Sequence, residues 1–406
     1  MHVLLLTLAL TQSLPEATPE SVGLSSEKLA LVTAALEKHV DEGNIAGAVA
    51  AVVRRGKLVY LASAGHRDIE AGSPMASDAL FRMYSMTRPI TSLAVMMLWE
   101  EGKFRLDDPI TKFLPEFDSQ RVFADASSPA LADTVERVGD ITVEHLLLHT
   151  SGLGSRSSEI YRANGVRSRT LSLAEMVSNA ARMPLFEQPG TKWRYGISTT
   201  ILGRLIEIWS DRPLEQFLSE RVFAPLGMTD TVFWADAARA PRLATVYRPS
   251  PDGELRPYAI EELPFTERPA LIEGGVGLLS STMDFLRFSQ MFLDDGELDG
   301  RRVVSPETVR TMTTNRVPDA LMPIGFGRPM KGTGWTLGFC AVVDADEYAY
   351  PVTDETFWWD GSAGTRFWIE PELDLITIVN AQVSPARGGG FREEFKKLVD
   401  DAVVER

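Results

Sequence analysis

The stretch Phe81–Trp99, FRMYSMTRPITSLAVMMLW, places Ser85 just ahead of an apolar run with helical spacing. A serine at a helix N-terminus stands near the positive end of the helix dipole. It also stands beside backbone N–H groups that have no partner within the helix. Both features favour an oxyanion forming there. The plainer role for such a serine is an N-cap, and the stretch alone does not separate the two. The periodic segment is read as a helix over Thr91–Glu101, stopping at Gly102.

Upstream, a capping serine at Ser25 opens an amphipathic helix that runs to about Glu42. Two β-rich runs follow, Ala46–Arg54 and Leu58–Ala64, joined at Arg55-Gly56-Lys57 as a hairpin. Downstream, Ile141–His149, Leu173–Met183, Thr199–Trp209 and Leu214–Phe223 read as helices, separated by loops containing Gly and Pro. Met283–Leu293 and Pro306–Met312 are further helices. Strands return at Thr336–Val343, Thr365–Ile369 and Leu375–Val383, and a charged helix, Arg392–Val404, closes the pattern. Strands at both ends of a chain can form one antiparallel sheet with helices packed on it. The expected fold is therefore α/β, an antiparallel sheet flanked by helices with a mostly helical insertion. Residues 16–84 with about 275–406 would form the α/β part and about 85–274 the helical domain, with the active site between them. Residues 1–15 are expected to be a signal-like or disordered N-terminus. The apolar run Val3–Leu10 resembles a secretory h-region without basic residues before it, so export and a cytoplasmic location both stand.

The 406 residues carry a formal net charge of −15, which argues against nucleic acid and anionic lipid as main partners. The one cysteine, Cys340, excludes an intrachain disulfide, and the five histidines show no metal-ligand spacing. No G-x-S-x-G nucleophile elbow and no phosphate-binding glycine loop occur.

The segment YSMTRPITSLAVMMLWEEGKFRLDDPITKFLPEF resembles the nucleophile region of the serine β-lactamase and penicillin-binding-protein superfamily. The similarity points to class C β-lactamases and the related family VIII carboxylesterases. Further landmarks in order are ITVEHLLLHTSGL (Ile141–Leu153), PGTKWRYGIS (Pro189–Ser198), GGVGLLSSTMDF (Gly274–Phe285) and WWDGSAGTRFWIEPELDL (Trp358–Leu375). The resemblance implies that Ser85 is the nucleophile of an S-x-x-K motif and that Tyr195 is the family's catalytic tyrosine. It places Trp359-Asp360-Gly361 on the strand that carries K-T-G in β-lactamases, an edge strand beside the substrate. It also implies backbone N–H groups of Ser85 and Ser362 as oxyanion donors. Gly361 would allow substrate to approach that strand closely. No metal or organic cofactor is implied.

Three departures shape the reading. Ile197 stands where β-lactamases carry an asparagine, with Ser198 a weak polar substitute. Trp359 replaces the lysine that would hold a β-lactam or peptide carboxylate, which favours a small-molecule ester substrate. Arg88 occupies the S-x-x-K lysine position. Residues 85 and 88 still share a helix face, but arginine keeps its proton at any relevant pH and cannot serve as the base. Tyr195 is then the expected base, with Arg88 lowering a phenol pKa of about 10 by charge and hydrogen bonding. A water or another neighbour as base stands beside it. The expected reaction is hydrolysis of small short-chain esters through an acyl-enzyme. Weak β-lactamase or D-amino-acid amidase activity, and non-catalytic ligand binding, are the other readings. His149 reads as a structural landmark rather than a catalytic histidine. Ser25–Lys28 and Lys331–Gly334 match S-x-x-K and K-T-G in isolation and are taken as structural.

Overall fold

The computed structural model describes residues 13–386 and 390–405. Its centre is an eight-stranded antiparallel sheet built from both ends of the chain. The strand order is Thr333–Trp335, Cys340–Val342, Phe357–Asp360, Thr365–Glu370, Leu375–Ala381, Gly47–Arg54, Lys57–Asp68, Ser73–Pro74. The N-terminal hairpin joins the C-terminal strands in the register Ala48↔Ala381 through Arg54↔Leu375. Arg55 and Gly56 both take positive φ, 52° and 70°, as a two-residue hairpin turn of matching twist requires. Gly47–Arg54 and Leu375–Ala381 are buried along their whole length, so neither shows the alternation of a half-exposed strand. Helices Ser26–Asp41 and Phe391–Ala402 pack on each other, and Thr282–Leu293 packs against the two central strands. A fully buried ion pair, Lys396–Glu370 at 2.9 Å, ties the last helix to the sheet.

Several boundaries differ from the sequence reading. The helix after Ser85 spans Thr87–Glu100, starting one turn earlier than expected. Pro89 hid that turn, yet proline is tolerated in the first turn, where the N–H it lacks would have no partner. The segment Thr336–Val343 is not one strand. Thr333–Trp335 and Cys340–Val342 form a short hairpin, closed by Thr336 N–H to Phe339 O at 2.9 Å and Phe339 N–H to Thr336 Oγ1 at 3.0 Å. Leu214–Leu218 is α-helical, but Ser219–Phe223 widens into a π turn. Leu14 is buried and the Pro15 carbonyl accepts from Leu58 N–H at 2.8 Å, so the chain joins the fold from there. The signal-like run Val3–Leu10 lies outside the described residues. Among the described residues no helix is long and apolar enough to cross a membrane.

A second, two-stranded ladder positions Ser85. Leu80–Arg82 pairs with Leu279–Ser281, and Met83 N–H continues it to Leu278 O at 2.9 Å. Thr87 Oγ1 then accepts from Leu278 N–H at 3.1 Å. The helix Thr87–Glu100 leaves this ladder buried on nearly all sides and packs against Ser198–Ser210, the helix that follows Tyr195.

Candidate active site

Ser85 lies in a single 3-10 turn, Tyr84–Met86, ahead of the buried helix. It is not the cap of that helix: the N-cap is Met86, with no side-chain capping bond. The N-cap role is thereby removed. The residue before it, Tyr84, holds φ at 44°, a left-handed conformation that costs an L-residue about 1–2 kcal/mol. Its buried ring, edge-on to Phe265 at 6.1 Å, packs in a small separate apolar cluster that over-determines the turn.

Tyr195 is brought to Ser85 by the turn before its helix. Gly196 is forced there by space: a Cβ would lie 2.3 Å from Gly154 O. Arg88 reaches across from the nucleophile helix. Its Nη1 donates to Gly196 O and to Thr199 Oγ1, each at 2.9 Å. Its guanidinium carbon sits 4.1 Å from the Tyr195 ring centroid, on the ring face. Gly196 and Thr199 hold the guanidinium, and a side-chain interaction with the Tyr195 hydroxyl adds a smaller contribution to Arg88. The Tyr195 oxygen also accepts from Trp359 Nε1, at 2.8 Å.

The electrostatics correct a second expectation. Burial among aromatic rings holds the Tyr195 phenol above its ordinary pKa. Arg88, Ser85 and Trp359 all oppose that shift without overcoming it. Tyr195 is therefore a phenol at rest, with its phenolate supported by a cation on one side and an N–H on the other. Arg88 has its own proton affinity lowered, chiefly by burial, with the Tyr195 phenol and Glu273 opposing. Glu273 is fixed nearby by Arg167 at 2.7 Å and Thr200 Oγ1 at 3.1 Å.

The strand end that faces Ser85 is Trp359-Asp360-Gly361. This strand is third from the margin of the sheet, not at its edge. Its neighbour pairs only through Cys340↔Trp358 and Ala341↔Phe357, so the ladder on that side stops short of Trp359 and Asp360. A Cβ on Gly361 would meet Met83 O at 2.5 Å and Thr365 Oγ1 at 2.3 Å, which brings this strand against the backbone just before Ser85. Ser362 follows in an exposed turn closed by Gly361 N–H to Thr365 O at 2.9 Å and Gly364 N–H to Gly361 O at 3.1 Å. Neither bond uses the Ser362 N–H. Asp360 is held from behind by Arg392 at 3.1 Å.

Several sequence candidates fall elsewhere. Ser198 bonds to Ser151 at 2.9 Å rather than to the site. Ser25 Oγ accepts from Lys28 N–H and caps its helix, and Lys331 is exposed beside the outermost strand. His149 is buried 4.7 Å from the Tyr195 ring, and its pKa is driven well below the ordinary value, first by burial and then by Arg88. It is a neutral ring packed behind Tyr195.

Phe326 was missed in the sequence. Its ring lies 5.2 Å from Tyr195, 5.6 Å from Trp193 and 6.0 Å from Trp359, yet it is 52% exposed. It sits in a loop rich in glycine and proline, where no periodicity marks it. With Trp335 at 4.5 Å from Trp359, these rings form an aromatic wall around the phenol. Among the described residues no group of three His, Cys, Asp or Glu side chains is arranged to hold a metal ion.

The antiparallel sheet flanked by helices, with the family and esterase relatives it matches, marks the chain as a serine hydrolase of the carboxylesterase kind. The sequence profile described as Beta-lactamase matches residues 32–399, and the chain belongs to that family. Among its relatives is Protein Rv1367c of Mycobacterium tuberculosis, 38% identical over 361 residues, covering 87% of this chain and 89% of the relative. Esterase EstB of Burkholderia gladioli is 31% identical over 391 residues, covering 89% of this chain and 92% of the esterase. The solved structure of EstCE1, a hydrolase with promiscuous acyltransferase activity, has the same fold, with a TM-score of 0.79 at 24% identity over 92% of this chain and 98% of EstCE1.

Proposed function

We propose that the enzyme hydrolyses small short-chain carboxylic esters through an acyl-enzyme on Ser85, with S-x-x-R replacing S-x-x-K. The observation that carries this reading is the support of the Tyr195 oxygen by Trp359 Nε1, with Arg88 across the ring face. In that setting the Tyr195 phenolate is the base. It takes the Ser85 proton as Oγ attacks the ester carbonyl, and the resulting oxyanion is met by the N–H groups of Ser85 and Ser362. Collapse releases the alcohol, which regains the proton from Tyr195. A water then attacks the acyl-enzyme, giving its proton to the same phenolate, and the acid departs as Ser85 is restored. Arg88 stays protonated throughout and acts as a positioning residue. No cofactor takes part in these steps.

Esters are favoured over β-lactams because Trp359, not lysine, occupies the strand position that would hold a carboxylate there. The division of the chain into an α/β part and a helical part, with the site between, is the same proposal in structural terms: Ser85, Arg88 and Tyr195 come from the helical part and Trp359–Ser362 from the α/β part. Turnover of p-nitrophenyl butyrate by the wild type, Ser85→Ala and Tyr195→Phe tests the reading. Loss of at least about 100-fold in each variant is expected, with a butyryl adduct on Ser85 trapped by acid quench. Full turnover by Ser85→Ala would overturn it. Absence of turnover in the folded wild type would favour a binding protein.

A further inference from the structure

Behind Tyr84 lies a cavity of about 360 Å³ whose walls include Arg82, Tyr84, Tyr258, Glu261 and Phe265. Three guanidinium groups crowd two of these rings. Arg169 and Arg82 stand 4.1 Å and 5.4 Å from the Phe265 centroid, and Arg156 stands 5.7 Å from that of Tyr84. Among the described residues, no carboxylate oxygen lies within ion-pairing distance of Arg82 or Arg169. The Arg82 guanidinium donates only to Ala244 O, at 2.5 Å. Among the described residues the Arg169 guanidinium has no hydrogen-bond partner, although the residue is only 4% exposed.

The carboxylates nearby are committed elsewhere. Glu261 is clamped between Arg156 at 2.7 Å and Arg167 at 3.0 Å. Glu262 accepts from the Arg169 backbone N–H and from Ser168 Oγ. Glu273 is taken by Arg167 and Thr200. Burial lowers the proton affinity of both Arg82 and Arg169, and the Arg169 charge lowers that of Arg82 further. Stacking on a ring, and for Arg169 the charges of Glu261 and Glu262, offset part of this; a guanidinium withdrawn from water with no ion-paired carboxylate is still costly, and here half-buried Arg82 lines the cavity while buried Arg169 stands on the Phe265 ring of its wall. In a chain of net charge −15, two guanidinium groups with no carboxylate in ion-pairing distance are an unusual concentration of positive charge at one cavity wall.

We propose that Arg82 and Arg169 form an anion subsite beside Ser85, and that the enzyme prefers esters carrying a carboxylate on the arm that enters this cavity. Arg82 is three residues from Ser85, so their Cα atoms are at most about 11 Å apart. A short dicarboxylic half-ester spans such a gap. The substrate preference rests on the esterase reading; the anion site does not.

The test compares mono-p-nitrophenyl glutarate with p-nitrophenyl pentanoate, which has the same chain length and no charge. The wild type is expected to favour the charged ester at least about tenfold in kcat/KM, with the preference shrinking as NaCl rises from about 50 to 500 mM. Arg82→Gln should bring the ratio of the two kcat/KM values close to one and weaken competitive inhibition by glutarate about tenfold. Arg82→Lys should keep part of both. Calorimetric titration of glutarate, and separately of inorganic phosphate, into the wild type reads the anion site without turnover. If neither ester is hydrolysed but glutarate binds, the esterase reading fails and the anion site stands. Equal kcat/KM for the two esters, or phosphate binding without glutarate binding, overturns the assignment. Should Arg82→Gln not fold, the wild-type preference, its salt dependence and the titration decide the matter alone.

Discussion

Replacing Trp359 by phenylalanine removes one N–H from the Tyr195 oxygen and keeps an aromatic ring in the wall. The bond at 2.8 Å is worth more to the phenolate than to the phenol. A hydrogen bond to a charged group contributes about 1.5–3 kcal/mol and a neutral one about 0.5–1.5, so the difference is about 1–1.5 kcal/mol. At 1.36 kcal/mol per pKa unit, the Tyr195 pKa should rise by about one unit. Burial already holds that pKa above its ordinary value. On the proposed mechanism the wild type works through a small phenolate fraction across neutral and mildly alkaline pH, and kcat/KM should climb about tenfold per pH unit. The sign is fixed by which form acts: the deprotonated form is the base, so activity rises with pH and falls with acid. In Trp359→Phe the same slope should appear, displaced about one unit to higher pH. At fixed pH the loss should be about 3–10-fold, since the stronger base recovers part of the deficit. The assay is p-nitrophenyl butyrate hydrolysis from about pH 6 to 10, corrected with Ser85→Ala. Trp359 is fully buried, and the void left by its lost ring should cost about 1–3 kcal/mol of stability, so melting is measured alongside. A wild-type profile with a plateau near neutrality, or a variant profile lowered equally at all pH without displacement, would refute the phenolate argument.

Arg88→Met should lower kcat/KM about 10–100-fold, because it removes the cation from the Tyr195 face and the donor to Gly196 and Thr199. Arg88→Lys should recover only part of this, since a lysine restores charge but not the planar stack; kinetics across pH check both. Gly361→Ala should cost about 100-fold or more in kcat, because its Cβ must displace Met83 O or Thr365 and so move the Ser362 N–H relative to Ser85; steady-state kinetics and a melting curve separate that from unfolding. Phe326→Ala should raise KM for butyrate esters several-fold and shift preference toward longer acyl chains, with less than about 1 kcal/mol lost in stability because the ring is half exposed. A chain-length series of p-nitrophenyl esters reads that shift.

Local sequence determined the elements whose physics is local. Ser25 as a cap, Arg55-Gly56 as a tight hairpin and the unbroken apolar run after Ser85 are legible because a cap, a turn and a buried helix each write their demands into adjacent residues. The order of five landmarks was enough to identify the superfamily and to single out Ser85, Tyr195, Arg88 and Gly361. It also showed that Arg88 cannot be a base, since that follows from the guanidinium alone. What the sequence could not carry was the environment each group meets across the fold. The sign of the Tyr195 shift depends on burial among Trp193, Trp335, Trp359 and Phe326, which lie in separate segments. Trp359 becomes a donor to Tyr195 because a strand 164 residues away ends beside it. Arg88 turns to the ring face because Gly196 O and Thr199 Oγ1 capture its Nη1. The pairing of Arg82 with Arg169 exists only because both reach Phe265. Covalent identity fixes what a side chain can do, while the charge it carries and the partner it meets are set by dielectric and distance, which only the tertiary structure decides.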